Sequence, residues 1–478
     1  MMRLHLYDTL TREVKPVEPV AGHVGIYCCG PTVYGPAHIG NFRTYVVQDV
    51  VVRTLQALGI KTRYVRNLTD VDDKTIRGAQ QAKQSLQSFT LHWVDVFEED
   101  CRQLNLLQPD VEPRATETIQ AQLDLISQLM QKGCAYVSEG SVYFRTSSFK
   151  DYGKLSRLDQ RCCQTQGINS AGELNDADEY ERECVGDFVL WKHRKPEDGD
   201  VYWESPWGQG RPGWHIECST MARLYLGATV DLHTGGVDLC FPHHENEIAQ
   251  SEAAYGGTFA RHWMHIAHLK VDGEKMSKSL GNLHTVASLL QKNYSREAIR
   301  YALMAGHYRH PLNFTFDLLN ASQSALQKLY QYLSRLLAVA QLTVEIFEQE
   351  HLLASTLDKV KYLQGFFESL CDDLNVPKAL GQLFTFINDA DIQSLDAKQI
   401  LYEFGICMFV LGLPARCSMD NIVIPLPVRR MAEQRWQAKQ ACNYQEADDI
   451  RHILLKEGWQ VLDTQNGYQV VPLKNYKK

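Results

Sequence analysis

The 478-residue chain has no apolar run approaching the roughly 18 residues that a helix needs to cross a bilayer, and residues 1–11 hold no basic segment followed by an apolar one. A membrane protein and a secreted one are therefore not expected, and the cytoplasm is the expected compartment. Internal repeats and low-complexity tracts are also missing. With 22% charged and 44% hydrophobic residues, the composition excludes disordered and collagen-like chains. There is no excess of positive charge either: 49 Lys+Arg stand against 57 Asp+Glu, a net charge of −8, so any surface for a polyanion must be local. Thirteen cysteines without a secretion signal, including the adjacent pairs Cys28-Cys29 and Cys162-Cys163, point to free thiols or metal ligands rather than a disulfide framework.

What is present fits a multidomain globular protein, since this length exceeds what one hydrophobic core organises. Residues 24–28 read as a buried strand, 30–40 as a turn punctuated by glycine and proline, and the stretch to Leu58 as a helix. Val46, Val47, Val50, Val51, Leu55 and Leu58 recur at helical spacing, and Gly59 is placed to end that helix. A second strand, 61–68, completes a βαβ unit, whose ligands bind at the carboxyl ends of the strands. From about 112 to 200 the pattern becomes irregular, with a polar segment at 164–183, as in an insertion. After Gly281 the chain turns helical: Ser295 is placed to cap a helix through Ala298, Ile299, Ala302 and Leu303, and amphipathic stretches continue from about 318 to 413. The Pro-containing segment 424–428 reads as a linker. Beyond it come a helix through Ala447, Ile450 and Leu454 and a hairpin around Asn466-Gly467. Residues 421–478 carry nine Lys+Arg against six Asp+Glu, a mildly basic end to an acidic protein.

Three segments carry chemistry. The first runs from Pro31 through Thr32 to His38, Gly40 and Asn41, entering a helix directly after a strand. A helix N-terminus favours phosphate, and Gly40 permits close approach. The second is Lys275-Met276-Ser277-Lys278-Ser279, introduced by Asp272-Gly273 and followed by Gly281. Two lysines three apart can close over a triphosphate and meet charge growing on a leaving pyrophosphate. The third joins the segment from Gly213 to Cys218 with that from Phe241 to Glu247. On a helix His243 and Glu247 share a face and can point at one ion.

The first two segments, His38-Ile39-Gly40-Asn41 and Lys275-Met276-Ser277-Lys278-Ser279, resemble the His-Ile-Gly-His and Lys-Met-Ser-Lys-Ser signatures of class I aminoacyl-tRNA synthetases. Asn41 departs from the pattern; asparagine can donate a hydrogen bond to a nucleotide but cannot become cationic. Together with Cys29-Gly30-Pro31-Thr32-Val33-Tyr34, the segment 67–74, the Cys218 segment and 241–247, nearly the whole chain resembles the cysteinyl-tRNA synthetase family. The resemblance implies a zinc site of Cys29, Cys218, His243 and Glu247. The residues alone leave Cys28 against Cys29 and His244 against His243 open; the family pattern takes the cysteine before the glycine and the histidine after Pro242. Trp214 resembles the aromatic wall of that family's cysteine pocket.

The resemblance also implies the architecture. An α/β Rossmann-type class I catalytic domain is expected in two halves, 1–111 and 201–285, around an inserted connective region, 112–200. A helical tRNA-binding domain, 286–420, and a small α/β anticodon-binding module, 421–478, follow. Expected partners are ATP with Mg2+, L-cysteine and tRNA(Cys), acting on a monomer with one Zn2+ per chain. Catalytic roles fall to His38, Lys275 and Lys278, and ATP contacts to Thr32, His38, Gly40, Asn41, Lys275, Ser277 and Lys278. A thiolate bound to zinc separates cysteine from serine, which a pocket selecting on size does poorly, so no editing domain is needed. A cysteine:amino-sugar ligase shares this chemistry but lacks the nearly 200 residues beyond the lysine loop. A non-catalytic tRNA-binding paralogue would not require intact lysines and metal ligands.

Overall fold

A computed structural model describes residues 2–20, 22–157, 186–276, 281–344, 360–415, 426–441, 443–457, 459–464 and 467–472. Ser277, Lys278 and Ser279, the pair Cys162-Cys163, the polar segment 164–183, Asn466 of the expected hairpin turn and the start of the linker 424–428 lie outside the described residues. The chain divides into two compact units, Met1–Arg416 and Cys417–Lys478.

The first unit is organised on a four-stranded parallel sheet, in the order Trp263–Ile266, Leu232–Gly236, Val24–Cys28, Thr62–Arg66. All five residues of Val24–Cys28 are buried, as a continuous apolar run with one strand on either side requires. The helix Ile39–Ala57 carries the chain to Thr62–Arg66 on one side, and the later return to Leu232–Gly236 lies on the other. The crevice at the carboxyl end of the central strand is thus a topological switch point, where open α/β sheets bind ligands.

That helix is buried over most of its length, including the polar residues Arg43, Gln48, Asp49 and Arg53. Burial alone would raise the Asp49 carboxyl, but Arg300, Arg53 at 2.7 Å and the Leu107 amide at 2.7 Å hold it below its ordinary value. Arg300 also donates to Leu411 O at 2.7 Å and Leu104 O at 2.9 Å, tying the sheet's helix to the helices that follow.

Between 112 and 200 the described residues, 112–157 and 186–200, are more regular than the sequence suggests. The helix Ile119–Gln131 packs with a four-stranded antiparallel sheet of Ala135–Ser138, Ser141–Phe144, Phe188–His193 and Gly210–Pro212. Strands of three to six residues are too short to establish a period by themselves. Asp73 docks this layer by pairing with Lys192 at 2.9 Å and with Arg211.

Beyond the sheet, Ser295 caps Arg296–Met304 through its side chain, and Phe316–Ala340, Gln364–Cys371, Val376–Asp389 and Ala397–Leu411 form a helical layer continuous with the main core. In the second unit Leu426–Gln440 and Tyr444–Lys456 pack on the hairpin Trp459–Thr464 and Gly467–Pro472. Its core includes Val428, Ala432, Leu454 and Val461, and Arg435 meets Asp463 at 2.8 Å.

Candidate active site and metal centre

Cys29, Cys218, His243 and Glu247, singled out in the sequence, converge at the carboxyl edge of the parallel sheet. Cys29 follows the central strand and donates its N–H to Thr234 O at 3.2 Å, so its backbone is fixed by the neighbouring strand. Gly30 comes next, with its N–H on Asn67 Oδ1 at 2.9 Å and its α-carbon packed against the Asn67 carbonyl. Thr32 is bridged to Thr69, whose hydroxyl donates to Glu217 Oε2 at 3.2 Å.

Two helices point their first turns into this edge. Trp214–Leu226 starts at Gly213, where a Cβ would lie 2.4 Å from Val189 O, and it buries Cys218. His243–Tyr255 places His243 Nε2 3.3 Å from Glu247 Oε1, the i,i+4 relation expected of a shared helix face. Cys29, Cys218, His243 and Glu247 each present a ligand atom within 4.8 Å of the others, and all four are buried. Half-buried Trp214 lays its ring against His243, with centroids 4.3 Å apart.

His244 is brought in as well. Its Nε2 lies 3.4 Å from Cys29 Sγ and 3.9 Å from Glu247 Oε1, so Cys29, His233, His244 and Glu247 form a second, overlapping group of the same compactness. Cys28, the other sequence alternative, faces away: the Thr234 hydroxyl donates to its sulfur, and burial pushes its thiol up to about 12.

The electrostatics favour a cation. Glu247 is fully buried, and its ion-pair partners among the described residues are histidines: His233 Nε2 at 2.9 Å, His243 and His244. Burial raises its carboxyl to about 8, only partly offset by His243, and burial with the neighbouring Cys218 drives the Cys29 thiol well up. Burial also pushes His215, His233 and His243 down to about 3. Two cysteines, a carboxyl group and neutral imidazoles thus share a pocket in which no Lys or Arg is paired with Glu247 among the described residues. Such a donor set suits zinc, whose charge would offset the cost of buried anions. When His243 Nδ1 donates to His215 Nδ1, 3.0 Å away, its Nε2 keeps a lone pair for an ion, as metal-ligating histidines require.

The sequence reading missed His215, His233 and His265. His265 bonds His244 Nδ1 at 2.8 Å and the Thr9 hydroxyl at 2.7 Å. His215 stands within the Cys218 segment and was available by proximity; His233 and His265 sit singly on separate strands, where no spacing marks them.

At the start of the signature helix, His38 caps Ile39–Ala57. Its Nδ1 accepts from the Asn41 N–H at 3.2 Å, and Asn41 Oδ1 accepts from the His38 N–H at 3.2 Å. Asn41, read in the sequence as a donor to nucleotide, thus commits its oxygen to the cap. Ile39 N–H is also engaged, by His284 O at 2.9 Å, so neither the Ile39 nor the Asn41 amide is available to phosphate. The close approach allowed by Gly40 is made by Met276: a Cβ on Gly40 would lie 2.5 Å from Met276 Cε. The two nucleotide signatures therefore touch. Exposed Lys275 ends the short strand Glu274–Lys275, and Asn282, beyond the loop, donates to its carbonyl at 3.2 Å.

A family model described as the tRNA synthetases class I (C) catalytic domain matches residues 15–324. The chain is 48% identical to the cysteine--tRNA ligase of Opitutus terrae, covering 99% of this chain and 100% of that one. It is 42% identical to the cysteine--tRNA ligase of Brachyspira hyodysenteriae, covering 98% and 99% respectively. Among solved structures, it is similar in fold to Mycobacterium tuberculosis methionyl-tRNA synthetase in complex with methionyl-adenylate, with a TM-score of 0.57 at 15% identity over 81% of this chain and 90% of the other. The Agrobacterium radiobacter LeuRS of a ternary complex with tRNA gives a TM-score of 0.57 at 11% identity over 84% and 85%.

Proposed function

For this chain, which belongs to the cysteine--tRNA ligase family of class I aminoacyl-tRNA synthetases, we propose a two-step reaction on a zinc-assisted site. In the first step the cysteine carboxylate attacks the α-phosphate of ATP, which brings Mg2+ with it, and pyrophosphate leaves. In the second, a terminal ribose hydroxyl of tRNA(Cys) attacks the carbonyl of the adenylate and AMP leaves.

The observation that carries the reading is the buried group Cys29, Cys218, His243 and Glu247, at the switch point of the sheet. These residues would hold Zn2+, which when bound supplies a soft Lewis acid for the substrate thiolate and thereby disfavours serine. Trp214 walls the same pocket and excludes water from it. His38, the Gly40 amide, Lys275 and Lys278 surround the phosphates, with Thr32 and Ser277 as hydroxyl contacts. Their donors face charge that grows as pyrophosphate departs, so they contribute chiefly in the transition state. The helical layer and the basic unit at the C-terminus take the tRNA. The enzyme is read as a cytoplasmic monomer; among the described residues no helix is long and apolar enough to cross a membrane.

The test is cysteine-dependent exchange of labelled pyrophosphate into ATP, then charging of purified tRNA, with metal content measured on the same protein. About one zinc per chain is expected. Cobalt-substituted protein should gain a sulfur-to-metal charge-transfer band on addition of cysteine, and Cys218→Ser should weaken cysteine binding more than ATP binding. Exchange without charging would point to an amino-sugar acceptor. A cobalt spectrum indifferent to cysteine during normal adenylation would rule out recognition through the thiolate.

A further inference from the structure

The loop that presents Lys275 does not stand alone. Its strand, Leu269–Val271, runs parallel to Leu312–Phe314 with Lys270 opposite Asn313. The turn between that strand and Lys275 is held by the same partner: Asp272 N–H donates to Phe314 O at 3.1 Å, and Gly273 N–H to the side chain of Asn313 at 2.7 Å. Upstream, Ala267 N–H donates to Tyr308 O at 2.8 Å and Leu312 N–H to His268 O at 3.0 Å. The direction in which Lys275 leaves the sheet therefore follows the position of residues 307–314.

Residues 307–310 are gripped from two sides. From the signature helix, buried Arg43 donates to His268 O at 2.8 Å, His310 O at 2.6 Å and His307 O at 3.2 Å. From the helical layer comes Asp373, between Gln364–Cys371 and Val376–Asp389. Its Oδ1 accepts from Tyr308 Oη at 2.5 Å and from the Tyr7 N–H at 2.9 Å; its Oδ2 lies 2.6 Å from Arg309 Nη2. Its own N–H donates to His5 O at 3.0 Å. Asp373 and Leu374 both hold positive φ, 57° and 47°. Consecutive non-glycine residues in that region cost energy, and persist where surrounding contacts impose them.

We propose that Asp373 is a positioning residue for the nucleotide chemistry: through Tyr308, Arg309 and the Asn313 strand, the helical layer sets the pose of the turn that presents Lys275. The connection is continuous, from a carboxylate in the helices to the turn beside a lysine that faces ATP. It rests on the role given to Lys275 above. A shift of the turn by a fraction of an ångström moves that charge off the pyrophosphate while leaving the cysteine pocket, built on Cys29 and on the helices Trp214–Leu226 and His243–Tyr255, in place.

The experiment compares full-length wild type, Asn313→Ala, Asp373→Asn and the double variant in cysteine-dependent pyrophosphate exchange. Rates are normalised to active sites by an adenylate burst, alongside zinc content and thermal unfolding. Each single variant should lower kcat per site or raise the KM for ATP by on the order of tenfold, with the KM for cysteine and zinc content unchanged. The double variant should lose less than the product of the two, because both act through one connection. Asn313 is exposed, so its variant reads the proposal even where Asp373→Asn folds poorly. Unchanged per-site kcat and ATP KM in Asn313→Ala, equal increases in the KM values for ATP and cysteine, or full multiplicativity in a folded double variant would overturn the role. Absence of exchange in the wild type would instead remove the catalytic reading beneath it.

Discussion

Gly30→Ala should separate the cysteine pocket from the rest of the fold. Gly30 needs no left-handed backbone; it needs space. A Cβ there would lie 1.7 Å from Asn67 O and 2.9 Å from Asn67 C, both backbone atoms. A carbon rarely approaches a carbonyl oxygen closer than about 3.3 Å, so the segments after the two neighbouring strands must part by roughly 1.6 Å. Gly30 N–H on Asn67 Oδ1, Thr69 N–H on Pro31 O and Val33 N–H on Thr69 O, at 2.9, 3.1 and 3.1 Å, resist that opening. Overpacking of this kind costs typically about 1–3 kcal/mol of stability. Cys29, immediately before the glycine, would be displaced relative to Glu247, which stands on a different element. Ligand distances tolerate only about 0.2 Å, so metal affinity should fall by at least the roughly 10–100-fold seen when supporting groups of a site are lost. The assays are urea unfolding, zinc retention against a chelator and the KM for cysteine in exchange. A folded Gly30→Ala protein that holds zinc as tightly as wild type, with an unaltered KM for cysteine, would refute the reasoning.

Lys278→Ala should lower the rate of adenylate formation by the equivalent of about 2.7–4 kcal/mol, with little change in cysteine binding; near-normal turnover would contradict its role. Asn41→His should retain ATP use, because an imidazole nitrogen can replace Oδ1 as acceptor for the His38 N–H; steady-state exchange checks this. Removal of 417–478, a compact unit of its own, should spare adenylation, impair charging and flatten its salt dependence, and equal charging with and without it would deny it a tRNA role. Burial pushes His262 down to about 4 and His265 to about 3. Below the unfolded value near 6.5, the unfolded chain takes protons that the native state refuses. Their contribution is thus present above about pH 6.5 and lost as pH falls toward the folded values, by about 1.4 kcal/mol per pH unit for each histidine. Urea midpoints from pH 7 to 5 should fall, and less steeply in a folded His262→Asn variant.

Much of this was legible because local pattern and packing agree. Val24–Cys28 is apolar throughout and lies between two strands, and the valines at helical spacing announced a helix that the structure draws as Ile39–Ala57. The i,i+4 geometry of His243 and Glu247 was readable for the same reason. What stayed hidden depends on contacts distant in sequence. His233 reaches Glu247 because the sheet places its strand beside Cys29, and nothing in the surrounding residues announces that meeting. The packing of Met276 against Gly40 is also a contact that only the folded chain makes. Asp373 likewise owes its meaning to Tyr7 and Tyr308, which lie 366 and 65 residues before it in the sequence.

The cap at His38 has a consequence for the proton on its ring. An N–H from Asn41 needs a lone pair on Nδ1, so the neutral imidazole must be the tautomer that carries hydrogen on Nε2. Burial lowers its pKa and reinforces the neutral form. The helix thereby dictates what its signature histidine can offer to any ligand, a directed N–H dipole in place of a mobile charge. Protonation at Nδ1 would trade that for a cation and remove the side-chain acceptor of the Asn41 N–H, so acid should loosen the first turn of the helix.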